Sequence, residues 1–144
     1  MNRLMLAVAL LLAASPALAQ NPKPQSLTQR WAGSWFGSGQ PNDRSQMYID
    51  TFNADGSFRN QHRQCAQGKI AYEVFETGRW RISGDRLTID IATVNKQPDP
   101  RTDVYRIKSV DGQIQNYVYL PTNFEYRARK VPAGYKMPPC DLSS

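Results

Sequence analysis

The chain has 144 residues, with 18 basic and 12 acidic side chains and a formal charge of +6. Residues 1–19 read as a removable leader, and the 125 that remain suffice for one compact domain but not for two. Without the leader, 17 basic side chains face 12 acidic ones and only about one third of the residues are apolar, which excludes a polytopic membrane protein.

The leader has the three parts of a secretory signal peptide. Arg3 supplies the charged start, and residues 4–14 form an uninterrupted apolar run of 11 residues, too short to span a bilayer as a helix. Ser15 and Pro16 break the run, and Ala17-Leu18-Ala19 offers the small-x-small pattern of a cleavage site before Gln20. No cysteine stands at that site, so lipid anchoring has no support. The expected address is the periplasm of a Gram-negative bacterium, or secretion from it. In such a compartment two cysteines are expected to oxidise, and Cys65 with Cys140 allows only one intramolecular bridge.

Residues 20–30 read as a lead-in, with Ser26 capping one helical turn over residues 27–30. Eight strands follow at short, regular spacing, the pattern of an all-β fold. They are expected at 31–37, 45–53, 57–65, 69–82, 86–94, 104–110, 113–120 and 124–131. Asp55-Gly56 and Asp111-Gly112 signal tight hairpins, Gln67-Gly68 another turn, and Gly78 a bulge within the fourth strand. A polar loop is expected at 95–103, around Pro98 and Pro100. The tail at 132–144 has no strand pattern, and only Cys140 would pin it.

Alternation assigns the faces. Leu87, Ile89 and Ile91 share one side of their strand; Tyr105 and Ile107 oppose Arg106 and Lys108; Phe124, Tyr126 and Ala128 oppose Glu125, Arg127 and Arg129. Ile114, Val118 and Leu120 are grouped with Asn116. One apolar face per strand, with short hairpins, predicts a single eight-stranded antiparallel up-and-down barrel over 31–131; a two-sheet sandwich is the structural alternative.

Several residues in this frame resemble the lipocalins and the wider calycin barrels. Gly33-Ser34-Trp35 stands where that family carries a glycine-x-tryptophan motif, on the first strand after a short helical turn. The resemblance implies that the indole plugs one end of the barrel and that an arginine of the last strand, Arg127 or Arg129, lies across it. A bridge from the tail to a barrel strand, as Cys65–Cys140 would be, is also a habit of that family. Thr102-Asp103-Val104-Tyr105 is close to the family's threonine-aspartate-tyrosine motif but carries one extra residue and falls one strand early. What the resemblance implies is binding of a small, often hydrophobic molecule; the barrel alone does not set the function.

The chemistry-bearing residues are few. His62, the only histidine, shares a strand face with Phe58, Asn60 and Gln64, so an inward Phe58 brings three polar side chains inside with it. They either orient a ligand or lie past the barrel rim in solvent. Tyr72, Tyr105 and Tyr126 each share a face with apolar neighbours and are candidates for a cavity lining, with Asn116 as a further polar contact; solid core packing is the competing reading. Glu73 and Glu76 lie on opposite faces of one strand and cannot form a facing acid/base pair. A lone histidine with two oxidised cysteines gives no zinc-type metal site, and no cofactor is expected, a haem held by His62 alone being the minor alternative. Arginines and lysines repeat on the faces opposite the apolar ones, as Arg59 with Arg63, Arg79 with Arg81, Arg106 with Lys108 and Arg127 with Arg129. They make either an ordinary solvated surface or a positive belt that meets an anionic envelope surface or an acidic protein. Nucleic acid is not an expected partner.

The leading expectation is therefore an exported, non-enzymatic binder of a small amphipathic or hydrophobic ligand. Two other classes stand beside it. One is an inhibitor or immunity module acting through the loops at 38–44 or 95–103, and the other is a calycin-type cyclase or isomerase resting on His62 and tyrosines.

Overall fold

A computed structural model of the chain describes residues 23–140. The expected signal peptide and its cleavage site lie outside the described residues, as do the last four positions of the tail. The described part holds one helix, α1 (Leu27–Trp31), and eight strands. They are β1 (Gly33–Ser38), β2 (Gln46–Phe52), β3 (Ser57–Ala66), β4 (Lys69–Ser83), β5 (Arg86–Val94), β6 (Gln97–Val110), β7 (Ile114–Tyr119) and β8 (Phe124–Val131). All neighbours pair antiparallel in sequence order, and β8 returns to β1, so the sheet is a closed up-and-down barrel. Closure leaves free edges only where a long strand runs past its neighbour, as β6 does at residues 97–103.

The local chemistry explains the elements. Ser26 and Gln29 form a reciprocal capping box that starts α1, and the helix runs one residue further than expected. Trp31, expected as the first strand residue, is therefore the last helical one. It is fully buried, and its carbonyl accepts from the Trp35 indole at 2.8 Å. The turn from α1 into β1 passes through Gly33 at φ 123°, where a side chain would be strained and would crowd the Lys130 stem. Gly78 sits at the β4 register shift, and a Cβ there would stand 2.1 Å from the carbonyl oxygen of Asp90.

The polar loop expected at 95–103 is strand instead. Asn95 and Lys96 make a two-residue turn with φ of 49° and 68°, and Val94 pairs with Gln97 directly across it. Pro98 and Pro100 are tolerated because β6 pairs only with β5 along this stretch; its pairing with β7 begins at Tyr105. Of the two loops expected for an inhibitory contact, the one at 95–103 is thus the rim of a hairpin, while residues 39–45 between β1 and β2 do form a loop.

Two apolar clusters form on opposite sides of the sheet. The inner one gathers Trp31, Trp35, Phe52, Phe58, Trp80 and Leu87 at the end closed by α1. The outer one, Phe36, Met47, Ile49, Cys65 and Val131, is covered by Tyr135 and Met137 of the tail, held by the Cys65–Cys140 disulfide. Adjacent residues such as Trp35 and Phe36 therefore serve different clusters, as strand alternation requires.

The cation over the plugging tryptophan is not an arginine. Trp35 pairs with Lys130, and the ammonium lies 5.1 Å from the indole centroid while donating to the carbonyl of Ala32. Arg129 projects outward, 5.2 Å from the ring centroids of both Phe36 and Tyr135. The register sets this: only the residue directly opposite Trp35 shares its face. Lys130→Met keeps the covering stem and removes the charge, so we expect a stability loss of about 1 kcal/mol. An unchanged urea midpoint would show that the charge contributes nothing.

Candidate functional site

Past the inner cluster the barrel interior is not filled. A cavity of about 260 Å³ lies between Phe58, Ile89 and Ile91 on one side and a set of tyrosines on the other. This is slightly below the roughly 300–1,000 Å³ of sites for drug-sized molecules. Its polar groups come from β2, β3, β4 and β6, and its tyrosines from β2, β6, β7 and β8.

Asp50 is the group at the centre of this wall. It alternates with Tyr48 and Phe52 on the inner face of β2, and it is buried, with a relative exposure of 6 %. Asn60, paired with it across the β2–β3 ladder, donates to Oδ1 at 2.7 Å. The Tyr117 hydroxyl lies 3.4 Å from Oδ2 and donates to the Tyr48 oxygen at 2.8 Å. Burial pushes the Asp50 carboxyl up to about 7, and nearby Glu76 adds to this, while the contacts from Asn60 and Tyr117 oppose it. No lysine or arginine pairs with Asp50 among the described residues.

His62 stands one inward step beyond Asn60 on β3 and is half-buried. Burial holds its imidazole below the usual histidine range, against the pull of Glu76 and Asp43. Its Nε2 and the Oδ1 of Asn60 are buried without a hydrogen-bond partner among the described residues. Glu76 faces inward and is paired with Arg101, whose guanidinium also lies 3.6 Å from Asp103 and 3.3 Å from Asp99. Asp103 in turn accepts from the Tyr119 hydroxyl at 3.2 Å. Burial raises the Tyr48, Tyr105 and Tyr117 phenols well above their ordinary value, so all three stay neutral.

Of the residues singled out from sequence, Asn60, His62, Tyr105 and Tyr126 come together in this wall. Tyr72 does not line it; it is half exposed, with its ring edge-on to His62 at 6.3 Å. Asn116 is on the outer face, where it donates to Ser109. The face grouping of β7 is thereby corrected: Gln115, Tyr117 and Tyr119 point inward, and Ile114, Asn116 and Val118 do not. Apolar residues occupy both faces of this short strand, so its alternation carries no direction. Gln64 leaves the inward set as well and bonds to Asp43 and Ser45 at the rim.

Sequence reasoning missed Asp50, Tyr48, Tyr117, Tyr119 and Arg101. The signal for Asp50 was present, since a carboxylate alternating between Tyr48 and Phe52 is a polar group on an otherwise aromatic face. Part of the outer belt of basic residues is committed. Arg63, Arg81 and Lys108 are ion-paired with Glu73, Asp90 and Glu125, and Arg129 covers the tail. Among the described residues no group of three His, Cys, Asp or Glu side chains is arranged to hold a metal ion. Nor is any helix long and apolar enough to cross a membrane.

Residues 27–115 match the family described as the lipocalin-like domain. No curated protein matches the chain.

Proposed function

The chain belongs to the lipocalin-like domain family, and from that premise we propose that it is an exported, non-enzymatic protein that carries one small amphipathic molecule in its barrel. The observation that supports this most directly is the cavity itself. The closed end is packed with tryptophan and phenylalanine, yet the barrel beyond it keeps about 260 Å³ between aromatic walls and a few convergent polar groups. Asn60, His62, Tyr105 and Tyr126 are the binding residues from the sequence, with Asp50, Tyr48 and Tyr117 added by their place in the same wall. The disulfide is consistent with a location outside the cytoplasm, and the leader pattern supports the periplasm or secretion from a Gram-negative cell.

Native mass spectrometry of the oxidised protein taken from the periplasm tests this reading. The expected result is a discrete excess mass that disappears on denaturation. A protein that arrives bare, and takes up nothing from a small-molecule extract of the same cells, would overturn it.

A further inference from the structure

The charge of the cavity is opposite to that of the chain. The protein is formally +6, but three carboxylates, Asp50, Glu76 and Asp103, stand in the cavity wall against one guanidinium. That guanidinium, Arg101, is shared by Glu76, Asp103 and Asp99, so it has no free charge to offer a guest. His62 is held toward its neutral form by burial. Facing these groups are five tyrosines, 48, 105, 117, 119 and 126, whose rings contact one another edge-on, tilted and stacked. Aromatic faces attract cations, and most strongly where water is excluded.

Resting on the binding reading above, we propose that the guest is a small organic amine in its protonated form, with its nitrogen beside Asp50 and its apolar body between the tyrosine rings. Asp50 is a buried carboxyl with hydrogen bonds but no countercharge, and an ammonium supplies the missing partner. Asn60 turns its amide nitrogen to Asp50, which leaves its Oδ1, an acceptor only, buried without a partner, and an N–H donor suits it. An anionic guest would meet three carboxylates in one small space. A neutral guest would leave Asp50 without a cation, at the cost already visible in its upward shift to about 7.

Three probes of nearly equal size test the charge: phenethylamine, phenethyl alcohol and phenylacetate, titrated calorimetrically into the mature, oxidised protein. The amine is expected to bind at least about tenfold more tightly than the alcohol, with phenylacetate the weakest. Asp50→Asn is expected to remove the preference for the amine over the alcohol. Near-UV circular dichroism checks that the variant keeps its packing; if it does not, Glu76→Gln carries the same comparison with a smaller loss. Alcohol or phenylacetate binding as tightly as the amine overturns the cation, while the binding barrel stands. Equal amine affinity in folded Asp50→Asn overturns the role of that carboxyl. If no probe binds and the native protein carries no excess mass, both readings fall together.

Discussion

Asp50→Asn makes the protein more stable at pH 8, relative to wild type, than at pH 5. The reason is desolvation. Asp50 lies buried with only Asn60 and Tyr117 to offset the loss of water, and its carboxyl rises from 3.8 to about 7. In the unfolded chain the same group ionises near its ordinary value. Between these two values the native state holds a proton that the unfolded state has released, so stability falls as pH rises through the window and is constant above it. One pKa unit corresponds to about 1.4 kcal/mol, so wild type loses roughly 2–3 kcal/mol from this group between pH 5 and pH 8. An amide of the same shape still accepts from Asn60 but does not titrate.

His62 contributes with the opposite sign. Its folded-state value is lowered by burial, so its contribution is lost as pH falls below the ordinary histidine range. The two titrations overlap, and only the difference between variant and wild type isolates Asp50. Urea unfolding of both proteins at pH 5 and pH 8 provides that difference. Parallel pH profiles would mean that Asp50 is ionised and compensated in the native protein.

Removing the disulfide has an effect of similar size for a different reason. Cys65 and Cys140 are separated by 75 positions, and closing a loop of that length restricts the unfolded chain by about 4 kcal/mol in the chain-entropy model. The bridge also holds Tyr135 and Met137 over Phe36, Met47, Ile49 and Val131, and Arg63 donates to the carbonyl of Pro138 in the same strap. The Cys65→Ser, Cys140→Ser double variant is therefore expected to melt well below the oxidised protein. Guest affinity should not change, because the strap lies on the outer side of the sheet and the cavity on the inner side. A melting temperature equal to wild type would show that the tail packing holds without the bond. Lost guest binding in a folded variant would connect the strap to the cavity.

Much of the fold was legible because its signals are local. Asp55-Gly56, Gln67-Gly68 and Asp111-Gly112 mark turns whose glycines adopt φ of 83°, 73° and 92°. The regular step of Leu87, Ile89 and Ile91 assigns the inner face of β5 without reference to any other strand, and all three are buried. The capped turn before β1 was legible from Ser26, and the structure adds Gln29 as the other half of the cap. Where a segment misled, a second layer was responsible. On β7 the outer face is also apolar, so periodicity could not say which side was in. At Pro98 and Pro100 the free edge of β6 accepts residues that would ordinarily end a strand.

The amino-acid sequence by itself determined the strand count, the hairpin order, an antiparallel sheet and the pairing of the two cysteines. These depend on turn chemistry, on a period of two and on there being one possible bridge. Closure into a barrel rather than a two-sheet sandwich was decided by the β8–β1 pairing. Only the tertiary structure decided which polar groups share the cavity. Asp50 meets Asn60 through the β2–β3 register and Tyr117 across the barrel, and Glu76 meets Arg101 between strands that are not neighbours. A strand's own alternation states which side a residue takes, but not what stands opposite. Closure of the sheet places seven strands around one volume, and the charge and hydrogen-bonding character of that volume exist only once they are brought together.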